Sequence, residues 1–103
     1  MKYLGRNVKL RRSKYEMGKG LAIIMLIDTL EDEAAGYDYD VITVNLMKHY
    51  KMNRAFLDVN NYPSITAFIE ENDLGHCIGH CKSGFVDYPL YEFNIEKIPE
   101  WKI

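Results

Sequence analysis

Leu21-Ala22-Ile23-Ile24-Met25-Leu26-Ile27 is the stretch whose reading decides the fold. Seven consecutive apolar residues are too few for an ordinary helix, and β-branched isoleucines prefer extended backbone. The run therefore reads as a strand covered on both faces, the central strand of a sheet. Before it, Gly18-Lys19-Gly20 supplies a turn, and Val8, Leu10 and Arg12 alternate with Lys9, Arg11 and Ser13. That period of two belongs to a strand with one wet face, expected at an edge.

Downstream, residues 31–40 are acidic, show no apolar period and read as a loop, whereas Val41 to Leu46 is a strand by its β-branched content. Residues 47–54 form another connection. Ala55 to Val59 is a short strand closed by the turn formers Asn60-Asn61. Pro63 suits a first helical turn, Ile65, Phe68 and Ile69 fall on one helical face, and Asn72, Asp73 and Gly75 are stop signals. The spacing thus predicts one principal helix, Pro63 to Asn72. Ser83-Gly84 makes a turn, and Leu90 to Ile95 alternates as a last strand with Pro89 at its start. Residues 96–103 read as a short turn and a loosely held tail on which Trp101 docks. The fold class expected is α+β, a mainly antiparallel sheet of five to six strands with the helix packed on it.

At 103 residues the chain suits a single domain, and 48% hydrophobic with 27% charged residues is the balance of a packed globular protein. No apolar run approaches the roughly 18 residues that cross a bilayer, and the first residues lack the pattern of a secretory signal, so the expected location is cytoplasmic. The net charge of −2 conceals a polarity: residues 1–20 balance at +6, while residues 21–46 carry Asp28, Glu31, Asp32, Glu33, Asp38 and Asp40 with no cation. These acids are either a solvated face or a patch for a basic, nucleic-acid-binding protein. The low overall pI of about 5.9 favours a protein over a nucleic acid as direct partner.

Several segments in order, Ala55 to Pro63, Phe68 to Asn72 with Leu74-Gly75, Ser83-Gly84-Phe85, and Tyr88 to Phe93, resemble a family of small proteins known as domain of unknown function 4313. The likeness spans roughly residues 7–95, and its most specific elements are the Asn-Asn turn and the Ser-Gly-Phe to Tyr-Pro segment. It implies an origin in phages and mobile elements of Gram-positive bacteria, which benefit from disabling host defences, and carries over no catalytic residue.

The chemically pointed cluster is His76-Cys77-Ile78-Gly79-His80-Cys81, which holds both cysteines and two of the three histidines. Thiolate and imidazole are the ligands of structural zinc. On a regular strand Cys77 and Cys81 would share a face but lie about 13 Å apart, too far to share one ion. A knuckle at Ile78-Gly79, with Gly79 at positive φ, would bring Cys77 and His80 together with Cys81 next in line. Cys77, His80, Cys81 and His76 are therefore candidate zinc ligands, with His49 or an acid from residues 28–40 to complete the shell. Two alternatives stand beside this: a strand with Cys77, Ile78 and Cys81 in the core, and a reactive thiol.

Nothing in the sequence marks a paired-carboxylate site, a phosphate loop or a serine nucleophile, and the chain is not expected to be an enzyme. The expectation is an accessory protein that blocks a host defence nuclease by direct binding. An anti-CRISPR inhibitor of an RNA-guided nuclease such as Cas9 is its most concrete form. The alternative is a zinc-binding regulatory or adaptor module in the element's replication or transfer. A third class, an enzyme with Cys77 or Cys81 as nucleophile, would show rapid alkylation at neutral pH.

Overall fold

In the computed structural model of the chain, which describes residues 1–27, 39–48 and 51–101, the stretch Leu21–Ile27 forms one uninterrupted strand. The strands are β1 (Lys2–Tyr3), β2 (Arg6–Lys14), β3 (Leu21–Ile27), β4 (Tyr39–Val41), β5 (Thr43–Val44), β6 (Arg54–Leu57), β7 (Gly75–Ser83) and β8 (Val86–Phe93). One helix, α1 (Ile65–Glu71), lies between β6 and β7. The strands form two antiparallel four-stranded sheets, ordered β1-β2-β3-β4 and β5-β6-β8-β7. The α+β class and the principal helix are thus as the sequence predicts; among the described residues the strands number eight in two sheets, more than the five to six expected.

The reason for two sheets lies at residues 41–43. Val41 to Leu46 was expected as one strand, but its regular pairing breaks at Ile42, so that β4 pairs with β3 and β5 with β6. Ile42 is fully buried at this corner; its N–H donates to the carbonyl of Ile23, and its carbonyl accepts from the N–H of Asp58. Thr43 then takes a place in the ladder with its side chain. The Ile23 N–H donates to Thr43 Oγ1 at 3.2 Å, and that hydroxyl also bonds the Tyr15 hydroxyl at 2.6 Å. Both backbone groups of Ile42 and the Ile23 N–H thereby find partners, as a buried corner requires.

β3 is covered on both faces: Leu21, Ile23 and Met25 join the main core, while Ala22, Ile24 and Leu26 are buried on the opposite face. The main core draws Val8 and Leu10 from β2, Ala55 and Leu57 from β6, Tyr91 and Phe93 from β8, and Ile65, Phe68 and Ile69 from α1. Tyr3 packs edge-on against Phe68, ring centroids 5.4 Å apart. Helix α1 starts two residues after Pro63 and ends with Asp73 at positive φ. The N–H of Leu74 donates to Ile69 O and that of Asp73 to Glu70 O, the paired bonds of a Schellman cap.

Two expectations about the C-terminal third need correction. β8 begins at Val86, so Pro89 sits inside the strand instead of at its start. It is tolerated because the last β6 pair to β8 is Phe56↔Leu90, leaving that flank of Pro89 outside the ladder. The tail is not loosely held through residue 101: Ile98 is fully buried, Arg12 N–H donates to Pro99 O, and Trp101 N–H donates to Arg12 O. Trp101 docks as expected, its ring 4.8 Å from that of Tyr39. The strand expected at an edge is therefore internal: β2 pairs with β1 on one side and β3 on the other, and the C-terminal segment lies along it at Arg12.

Candidate functional site

The His/Cys cluster lies on β7, the terminal strand of the second sheet, paired throughout with β8 in a hairpin. Two features fix its shape. Gly84 at φ 62° followed by Phe85 makes a two-residue connection between Ser83 and Val86 that suits a type II′ turn. The register then slips between Cys77, opposite Tyr91, and Gly79, opposite Leu90, so that Ile78 is the extra residue of a β-bulge. The expected knuckle is therefore a bulge in a paired strand, and Gly79 does not adopt the positive φ proposed for it.

The bulge decides which side chains meet. Cys77 pairs with Tyr91 and His80 with Pro89, whereas His76 pairs with Glu92 and Cys81 with Tyr88. Facing partners share a face and successive residues of β8 alternate, so Cys77 and His80 project from one face and His76 and Cys81 from the other. Cys77 Sγ stands 3.7 Å from His80 Nε2 and 3.4 Å from the carbonyl oxygen of Gly79. The other imidazole nitrogen, His80 Nδ1, faces Asp87 Oδ2 at 3.6 Å. Asp87 reaches this position from the opposite arm of the hairpin, where it pairs with Lys82.

On the other face His76 Nε2 lies 3.5 Å from Glu92 Oε2, and Glu92 also receives the Arg54 guanidinium at 3.3 Å. The cluster is thus split: Cys77 and His80 are brought together, His76 belongs to a carboxylate–guanidinium network, and Cys81 stands apart from Cys77. Among the described residues no three His, Cys, Asp or Glu side chains converge as a metal shell. Nor are Cys77 and Ile78 core residues, since both are exposed. The candidate ligand His49 lies outside the described residues.

Behind Cys77, the Tyr91 hydroxyl donates to Glu70 Oε2 at 2.9 Å, tying β8 to α1. Burial, reinforced by the adjacent Glu70 carboxylate, pushes the Tyr91 phenol well above its ordinary value, so it stays a neutral donor. Beyond Leu90 the hairpin leaves the main sheet. Residues 79–89 form a two-stranded ribbon exposed at His80, Lys82 and Asp87, with Phe85 fully exposed at its tip.

Of the acidic residues expected to form a patch, Asp28, Glu31, Asp32, Glu33 and Asp38 lie outside the described residues; Asp40 is exposed on β4, beside Tyr62. A second feature is a cleft that the sequence does not mark as one. An open cleft of about 220 Å³ is lined by Lys19, Lys48, Lys51 and Arg54, with no carboxylate among its described lining residues. Lys48, Lys51 and Arg54 come from the one connection 47–54, and the fold brings Lys19, from the turn before β3, beside them. Asp87, by contrast, was within reach of sequence reasoning: a two-residue turn at Gly84-Phe85 pairs residue 87 with 82 and brings it diagonal to residue 80.

No helix of the described chain is long and apolar enough to cross a membrane. No curated protein and no solved structure matches the chain. The β6–α1–β7–β8 unit that carries the site falls within a match to one family model over residues 9–102, nearly the whole chain, and the protein therefore belongs to the family described as Domain of unknown function (DUF4313).

Proposed function

We propose that this chain is a non-enzymatic accessory protein that acts by binding another protein through its β7–β8 hairpin. In its most concrete form it blocks a host defence nuclease of the RNA-guided, CRISPR-effector type in the bacterial cytoplasm. The observation that carries the binding mode is Phe85, fully exposed at the tip of a ribbon that projects past the main sheet. A type II′ turn asks for glycine at its first central position and places no demand for an aromatic at the second. Folding gains nothing from this ring, whereas burying it in a partner would contribute about 1.5–3 kcal/mol. An aromatic anchor in a partner's pocket is a common source of binding energy. The setting rests on the family resemblance to proteins of phages and mobile elements.

The test is capture of the host nuclease by the purified chain, followed by a cleavage assay in its presence. Phe85→Asp should weaken association at least tenfold with no change in melting temperature. Absence of association together with unimpaired cleavage would end the nuclease reading. Binding unaffected by the Phe85 change would end the hairpin reading.

One observation favours a second reading, an adaptor in replication or transfer of a mobile element. The cleft bearing Lys19, Lys48 and Lys51, beside an Arg54 already paired with Glu92, offers positive charge in a concave surface, which attracts phosphate. That reading requires salt-sensitive binding of single- or double-stranded nucleic acid, lost on changing Lys48 and Lys51 to Glu. Anisotropy titrations flat at low salt would exclude it.

A further inference from the structure

Cys77 and His80 hold two donors at a spacing that carries chemical meaning. In a tetrahedral zinc site with Zn–S of about 2.3 Å and Zn–N of about 2.0–2.1 Å, a sulfur and a nitrogen on adjacent vertices lie about 3.6 Å apart. The Sγ···Nε2 separation here is 3.7 Å. The carboxylate behind the ring fits as well: Asp87 Oδ2 faces Nδ1 at 3.6 Å. That carboxylate stands beside the ring nitrogen turned away from the thiol, the place where a carboxylate backs a metal-bound histidine.

The pair is half of a closed site. Structural zinc takes four protein ligands, commonly two Cys and two His, and the described residues of one chain bring no third donor to this pair. His76 and Cys81 cannot join it, because the bulge turns them to the opposite face. A second copy of the chain would supply what is missing. β7 ends its sheet, and Cys77 and His80 are exposed, so the half-site is open to another molecule. A two-fold axis through the ion duplicates whatever one chain presents, and two Cys77–His80 pairs about such an axis make a complete Cys₂His₂ tetrahedron.

We propose that Cys77 and His80 form an intermolecular zinc half-site, with His80 positioned by Asp87, and that one Zn²⁺ joins two copies of the chain through it. Each Cys77 thiol gives up its proton to solvent and binds as thiolate, and each His80 binds as neutral imidazole through Nε2. Two protons leave per ion bound. The inference is independent of the partner reading above, since it concerns only what the chain does with metal and with itself.

The experiment uses the whole chain, stripped with chelator and then titrated with Zn²⁺ alone. Metal content is read by elemental analysis and molecular mass by light scattering. The expected result is one zinc per two chains, with the mass rising from that of the 12.0 kDa chain to twice that value, and reversal on chelation. Cobalt(II) in place of zinc should give the intense visible bands and thiolate charge transfer of a tetrahedral sulfur–nitrogen site. Cys77→Ser and His80→Asn should each abolish dimerisation by metal. Asp87→Asn should weaken zinc binding about tenfold or more without removing it. The double change His76→Asn with Cys81→Ser, on the other face, should leave both stoichiometry and mass unchanged. One zinc per monomer, uptake with no change of mass, no retention of zinc, or dependence on Cys81 instead of Cys77 would each overturn the proposal. The wild-type stoichiometry and mass decide it even where a variant fails to fold.

Discussion

Changing Thr43 to Val tests the corner at which the first sheet gives way to the second. Valine keeps the shape and β-branching of threonine and removes only the hydroxyl, which accepts from the buried Ile23 N–H at 3.2 Å and bonds the Tyr15 hydroxyl at 2.6 Å. Ile23 is fully buried and Thr43 nearly so, and no water can replace the lost acceptor without opening the corner. A buried N–H left without a partner costs about 1–3 kcal/mol, and the lost hydrogen bond to the half-buried tyrosine adds about 0.5–1.5 kcal/mol. The expected loss is therefore about 2–4 kcal/mol, which at an m-value of about 2 kcal/mol/M lowers the urea midpoint by about 1–2 M. Tyr15→Phe removes only the second bond and should cost about 1 kcal/mol. In the double variant the two losses should fall short of additivity by about the strength of the hydroxyl–hydroxyl bond. Equilibrium unfolding at constant m-value measures all three. The reasoning fails if Thr43→Val lies within 0.5 kcal/mol of wild type, or if Tyr15→Phe costs as much as Thr43→Val.

Three further outcomes follow from the same structure. Gly75→Ala should destabilise by about 1–3 kcal/mol, because its Cβ would stand 2.7 Å from the backbone oxygen of Glu92; Gly79→Ala meets nothing within 4 Å and should change the midpoint by less than about 0.5 kcal/mol. Alkaline stability should fall early: Tyr62 is pushed from 10.0 up to about 12, chiefly by burial and then by Asp40, and Tyr15 and Tyr91 are raised mainly by burial. These phenols hold their protons more tightly when folded, so their contribution is full below pH 10 and is lost as the pH rises toward 12; urea midpoints at pH 8 and 11 measure it, and Tyr62→Phe should flatten the decline. Tyr91→Phe should cost about 1 kcal/mol by unfastening β8 from Glu70 of α1, whereas Glu71→Gln, exposed on the same helix with no such bond among the described contacts, should cost under about 0.5 kcal/mol.

Some of this architecture was legible because it is written locally. The strand Leu21–Ile27 follows from a run of apolar residues too short for a helix, and the structure reproduces its limits. The helix follows from Ile65, Phe68 and Ile69 at helical spacing, all three now buried against the core. Its end follows from Asn72 and Asp73, although the Schellman geometry that stops it uses Asp73 where glycine is commoner. The family resemblance, placed at roughly residues 7–95, stands beside a match over residues 9–102. The site was legible in part. That Cys77 and His80 meet through an irregularity near Ile78-Gly79 could be argued from spacing, since a regular strand would not bring its donors to one point.

Composition and periodicity by themselves marked β2, β3, β6 and α1, because side-chain alternation and backbone preference act within a few residues; they did not mark β1 or β7, whose strands exist only through their partners. Which face each donor of the cluster occupies was settled only by pairing with β8, for a bulge exists relative to a partner strand and a single extra residue reverses every side chain beyond it. The same holds at Ile42, where a sequence that reads as one strand is divided between two sheets by bonds to Ile23 and Asp58, and at the C-terminal segment, anchored by Arg12 far away along the chain. Those hydrogen bonds join residues remote in sequence, and no local pattern encodes them.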